Sequence, residues 1–183
     1  MKSKEGSLTA MIKKRINSKK KGNRAELELA KLLTKRFEVP FARVGVSSGA
    51  RVKNTKLPDN AIGVMTGDLM VPEDFKFSVE CKAENGSIDF LDESSLFDKW
   101  LRQTTDDAQS IGKIPMLCWK QHRKGWIVAV PARSAFKDCG SFPHCYIRYG
   151  HDTVRWKWGW IVCRLDALLE TNTEREFWFD EKD

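Results

Sequence analysis

The chain has 183 residues, 41% hydrophobic and 31% charged, with a formal net charge of +7. That length supports one domain with a sizeable core, and no apolar run is long enough to span a membrane. The first residues lack the apolar stretch and cleavage site of a secretory signal, and the five cysteines form no C-x-x-C pair, so an intracellular protein with reduced thiols is expected.

The charge is unevenly spread. Residues 1–24 carry nine basic side chains against one acid, and the remainder carries 23 against 24. Residues 1–21 therefore read as a basic flexible arm, disordered or partly helical when free. Such an arm suits a polyanion, because each phosphate it neutralises releases counterions; a solubilising tail is the alternative. Asn23 reads as the N-cap of a helix to residue 37. Steps of three or four join Glu26, Ala30, Leu33 and Phe37, an apolar stripe whose first member is a carboxylate. An acid aimed along a buried face is usually paired, protonated or metal-associated. Glu28 is expected on the polar side, near Lys31 and Lys35.

Residues 39–44 read as a strand and 45–51 as a small-residue loop. Residues 52–65 lack periodicity and read as a mobile connection where substrate could be gripped. Residues 66–82 then read as a β-hairpin, with turn residues at 72–75. Folding it about Asp74 sets Asp68 opposite Glu80, Leu69 opposite Val79 and Val71 opposite Phe77. Alternation puts Asp68, Met70, Ser78, Glu80 and Lys82 on one face and Leu69, Val71, Phe77, Val79 and Cys81 on the core face. Two carboxylates so close need a cation between them, or one keeps its proton. Hard oxygen donors of this kind suit Mg²⁺, and Lys82 would stand beside the ion. Asp59, in a literal Pro-Asp pair, is a rival to Asp68 with no such constraint on its position. An ordinary surface Glu-Lys pair is the bland alternative for the whole stretch.

A helix is expected within residues 90–111, on Leu96, Phe97, Trp100, Leu101, Thr104 and Ala108, with Gly112 as its stop. Residues 114–119 and 125–130 read as strands joined by a basic turn. Strands are also expected at 145–149 and 154–162, the second presenting Trp156, Trp158 and Trp160 on one face. That row could stack on bases, but more often such a row packs a core or an interface. Residues 165–170 read as a short helix, and 174–183 as a frayed acidic end. Cys139, His144, Cys145 and His151 match no usual zinc spacing.

With Glu26 on a first helix, Asp68 and Glu80-x-Lys82 on neighbouring strands, and a helix and strand beyond, the chain resembles the PD-(D/E)xK nuclease superfamily. More narrowly, it is similar to archaeal-type and phage-encoded Holliday-junction resolvases. The resemblance rests on Lys21-Gly22-x-x-x-Glu26, Arg43, Ser47-Ser48-Gly49, Gly67-Asp68 and Glu80-Cys81-Lys82, and covers residues 21–130. It implies an α/β restriction-endonuclease-like fold, a mixed central β-sheet flanked by helices, in a single nuclease domain. That domain would span 22–183, with a core at 22–130 and a tryptophan-rich β extension at 131–170. It also implies a metal-dependent, structure-selective DNA endonuclease, acting on a branched four-way junction as a homodimer. In that reading Asp68, Glu80 and the Cys81 carbonyl hold Mg²⁺, for which Mn²⁺ would substitute, and Glu26 assists through water. Lys82 orients the attacking water, Gln103 supports it, and Lys19, Lys20, Lys21, Arg24, Arg43, Ser47, Ser48 and Arg51 contact DNA. The strands near 114–119 or the tryptophan face would supply the dimer contact. Gly67 stands where the superfamily name has Pro, and the insertion between Gly49 and Gly67 leaves the substrate open. A nicking or restriction-type nuclease of the same superfamily, or a non-catalytic nucleic-acid-binding module, are the alternatives.

Overall fold

In a computed structural model, the described residues are 5–44, 63–84, 88, 95–121, 125–132, 143–147 and 159–180. Side chains are described from residue 20 of the first helix onward, and residues 63–66 by backbone alone.

The first helix, α1, spans Glu5–Phe37. Asn23 therefore lies inside it, not at its start, and the basic segment continues the same helix backwards. Lys, Arg and Ala are good helix formers, and a helix nucleated by its packed end propagates at little cost. Ala25, Leu29, Ala30 and Leu33 are buried along one side. The helix stops at Glu38, whose φ of 58° is left-handed and whose N–H reaches the Thr34 carbonyl at 2.9 Å. The Thr34 hydroxyl then accepts from Phe41 N at 2.9 Å, fixing the exit of the chain.

Strands β1 (Ala42–Arg43), β2 (Gly63–Thr66) and β3 (Leu69–Pro72) form an antiparallel sheet in the order β1-β3-β2. Strand β4 (Phe77–Glu84) belongs to a second sheet. After helix α2 (Leu96–Ser110) come β5 (Ile114–Gln121), β6 (Gly125–Pro131), β7 (His144–Ile147) and β8 (Trp160–Arg164). The order is β4-β5-β6-β8-β7; β4 and β5 are parallel and the other pairs antiparallel. Helices α3 (Leu165–Thr171) and α4 (Arg175–Trp178) complete the described fold. This mixed five-stranded sheet flanked by helices is the α/β restriction-endonuclease-like arrangement that the resemblance implied.

Each face of the five-stranded sheet carries its own apolar cluster. Val79, Cys81, Met116, Cys118, Val128, Val130 and Cys163 meet α1 and α3 on one side. Leu117, Trp119, Ala129, Trp160 and Val162 meet Phe97, Trp100 and Leu101 of α2 on the other. Ser95 caps α2 by accepting from Asp98 N at 3.2 Å. The buried Thr104 and Thr105 hydroxyls donate to carbonyls one turn back, both at 2.7 Å, so neither is left unsatisfied. Gly112, at φ 71°, follows the helix as expected. No helix among the described residues is long and apolar enough to cross a membrane.

Several expectations are corrected. β3 and β4 do not form a hairpin: β3 pairs with β1 and β2, and touches β4 through a parallel bridge between Gly67 and Val79. Strand alternation fixes which face a side chain takes but not which neighbour the strand pairs with. β8 lies beside β6 within the five-stranded sheet, with β7 at its edge. Trp160 is buried in the core; Trp156 and Trp158 lie outside the described residues. β5 is an interior strand with both faces covered and offers no dimer surface. The acidic end is not frayed through residue 179: Trp178 and Phe179 are each 1% exposed, and Phe75 bridges Phe179. Asp180 N also bonds Asp74 O at 2.7 Å.

Candidate active site

Parallel pairing to β5 and cover from helices on both sides bury β4 almost completely. Val79 and Cys81 therefore face α1 and the first cluster. Alternation turns Ser78, Glu80 and Lys82 toward α2. Glu80 is only 3% exposed. Burial, and next the Asp68 carboxylate, push its carboxyl up to about 7, against the opposing pull of Lys82.

Asp68 is delivered by the turn that precedes β3. Its N–H donates to the Val79 carbonyl at 3.2 Å, and its own carbonyl accepts from Val44 N at 3.0 Å. Its Oδ2 accepts from Cys81 N at 3.0 Å. The residue is thus held to both sheets, one residue along β4 from Glu80. Gly67 makes this approach possible. It has φ 58°, and a Cβ there would stand 2.7 Å from Val79 O and 2.9 Å from Glu80 Oε2. Proline, locked near φ −65°, could not adopt this turn, which explains its absence.

Lys82 and Gln103 close the site from the other side. Lys82 Nζ donates to Glu80 Oε1 and to Gln103 Oε1, the latter at 3.2 Å. Gln103 Nε2 donates to the same Glu80 oxygen at 3.0 Å. Asp107, four residues beyond Gln103 on α2, is close enough to oppose ionisation of Glu80. It was not foreseen, although i,i+4 spacing from Gln103 points to it. The Cys81 side chain lies in the core, where burial, and next Cys118, push its thiol well above the ordinary range.

Glu26 lies beside this group but is not a free carboxylate. It accepts from Arg43 Nε, and Arg43 Nη2 reaches Asn23 Oδ1 at 2.8 Å. Arg43, foreseen only as a DNA contact, sits opposite Leu69 on β1, next in the ladder to Asp68. Asn23, foreseen as a cap, instead helps to hold that guanidinium. Glu28 does not pair along its own helix; it bonds Lys120 of β5. Lys20 and Arg24 are exposed on α1 and Lys21 is half-buried; the Lys19 side chain, Ser47, Ser48, Arg51 and Asp59 lie outside the described residues.

The structure therefore brings Asp68, Glu80, Cys81, Lys82 and Gln103 together, with the Glu26–Arg43 pair alongside. Among the described residues no group of three or more His, Cys, Asp or Glu side chains is arranged to hold a metal ion. The neighbouring carboxylates of Asp68 and Glu80 are hard oxygen donors of the kind that suits Mg²⁺. The pressure of Asp68 on buried Glu80 is what a cation between them would relieve.

A family model described as "Phage putative PDDEXK endonuclease" matches residues 17–178. Searches of curated proteins and of solved structures each return no match. The matched span takes in both sheets, α1 from residue 17 onward, α2, α3, α4 and every site residue named above. The chain belongs to this phage endonuclease family, and so to the PD-(D/E)xK nuclease superfamily.

Proposed function

We propose that the protein is a divalent-metal-dependent DNA endonuclease hydrolysing phosphodiesters, and that its substrate is branched DNA of the four-way-junction type. The observation that carries the catalytic reading is the Asp68 carboxylate bonded to the Cys81 peptide beside buried Glu80, with Lys82 and Gln103 on the same Glu80 oxygen. The junction substrate rests on the similarity of the motifs to resolvases. Cutting a four-way junction in symmetric pairs needs two centres related by a twofold axis, so the active species is a homodimer.

Asp68, Glu80 and the Cys81 carbonyl would hold Mg²⁺ or Mn²⁺, which makes water more acidic and offsets charge on the phosphate. Lys82 supplies a cation at the same spot, able to orient the attacking water and to stabilise negative charge as it develops. Gln103 fixes Glu80 and Lys82 relative to each other, so that little reorganisation is needed when substrate arrives. Glu26 holds Arg43 at the edge of the site, where a guanidinium suits a phosphate oxygen.

The test is to incubate the protein with matched four-way, forked, linear duplex and single-stranded DNA in Mg²⁺ and map the cuts. Paired symmetric nicks in the junction, lost in Asp68→Asn, Glu80→Gln and Lys82→Ala while binding persists, are expected. Equal cutting of all four substrates would remove the junction reading. Cleavage unchanged by Asp68→Asn would remove the catalytic one.

A further inference from the structure

The outward side of α1 carries a charge pattern that the active site does not use. Steps of four, three, four and four residues join Lys20, Arg24, Leu27, Lys31 and Lys35, which places them on one side of the helix. That side lies opposite Ala25, Leu29 and Leu33, which enter the core. All five residues are exposed, Leu27 to 49%. From residue 20 to its end α1 has two acids, and both turn to other elements: Glu26 to Arg43, Glu28 to Lys120. None of the four cations forms an ion pair among the described residues. Lys20 with Arg24, and Lys31 with Lys35, are like charges at i,i+4, an arrangement that weakens a helix unless an anion offsets it. An ordinary solvated face would intersperse acids among these positions.

We propose that this face of α1 is a docking surface for the phosphate backbone of duplex DNA, gripping an arm of the substrate outside the cutting centre. The proposal rests on the nuclease reading for its choice of nucleic acid. From Lys20 to Lys35 the stripe is about 22 Å long at 1.5 Å per residue. Duplex DNA presents a charge every ~1.7 Å of its axis, a linear array that a straight row of unpaired cations complements. Arg24 and three lysines are phosphate-binding side chains, and α1 is a rigid element that can hold them in line. Arg36 takes no part: it donates to the Leu169 carbonyl at 3.0 Å and is committed to the fold.

The test measures binding of a labelled linear duplex in EDTA, where no cutting occurs, over a series of salt concentrations. The full chain is compared with the quadruple variant Lys20→Ala, Arg24→Ala, Lys31→Ala, Lys35→Ala. Each lost phosphate contact lowers the slope of log affinity against log salt by about 0.9, so a fall of about 2–4 is expected. Replacing the three lysines by arginine keeps the slope, and Arg164→Ala, which removes a cation already paired with Asp166, leaves it unchanged. An unchanged slope in a quadruple variant that circular dichroism shows to be folded would overturn the proposal. So would displacement of the duplex by polyglutamate as readily as by unlabelled duplex. If the quadruple variant does not fold, Lys31→Gln with Lys35→Gln gives the same reading at half the effect. Asp68→Asn distinguishes the two readings, because it removes cutting and leaves the slope intact. Should the wild type cut no DNA with any metal while the quadruple variant still loses slope, the docking surface stands and the nuclease mechanism falls.

Discussion

At Gly67 a single hydrogen atom decides whether the two acids can meet. Alanine there would place a methyl 2.7 Å from the Val79 carbonyl oxygen, a backbone atom that cannot swing away, at a φ of 58°. Gly67→Ala is expected to cost about 1–3 kcal/mol of stability, read from urea denaturation, and to depress cleavage by displacing Asp68. Glu80 gives a pH signature. Its folded carboxyl titrates near 7 against 4.5 when unfolded, so between those values the native state binds the extra proton. In the chelated protein, stability is therefore expected to fall as pH rises from about 4.5 to about 7. Asp68→Asn, which removes one cause of the shift, should flatten that slope, and Lys82→Ala should steepen it. Denaturant midpoints across a pH series in EDTA check all three. Gln103→Ala removes one hydrogen bond to Glu80 and one from Lys82, so a modest loss of stability, about 1–2 kcal/mol, is expected together with a larger fall in kcat than in substrate affinity. An unaltered kcat would make Gln103 a bystander.

At the scale of elements, what could be read from the residues was which face each strand shows. Leu69, Val71, Phe77, Val79 and Cys81 are core, and Glu80 and Lys82 share the other side, as alternation requires. Partner choice was not legible: a turn at residues 72–75 reads locally as a hairpin, but β3 finds its neighbours in β1 and β2, across residues that local pattern does not relate. Asp68 still meets Glu80, by way of the Gly67–Val79 bridge and not by cross-strand pairing. The pairing of Glu26 was legible as a need, since a carboxylate on a buried stripe demands a partner, but not as Arg43, which lies in a separate sheet. The C-terminal helix shows the opposite failure. The acidic composition of residues 174–183 hides Trp178, which packs against Phe37, Phe75 and Phe77 with ring centroids 5.1 to 6.3 Å apart. Trp178→Ala is expected to cost about 3–5 kcal/mol, measured by denaturation, because the neighbouring rings belong to three other segments that cannot all collapse into the gap.

At the scale of the molecule, net charge and function separate. The excess of positive charge lies in the first 24 residues, and the remainder of the chain is close to neutral. Salt is therefore expected to weaken binding far more than it slows cutting of bound substrate. Metal should act on the whole fold as well as on the reaction. Mg²⁺ or Mn²⁺ held between Asp68 and Glu80 is expected to raise the melting temperature of the wild type and leave that of Asp68→Asn unchanged, which a thermal scan with and without EDTA reads directly. Asp68 rides on the three-stranded sheet, whereas Glu80 and Lys82 ride on the five-stranded one. The proposed catalytic group thus straddles a seam, and a slip of one sheet along the other would part the acids without disturbing either strand. Substitutions far from the acids that loosen this joint would weaken ion affinity while leaving every ligand in place, and faster hydrogen exchange at the Asp68 and Cys81 amides would report the slip.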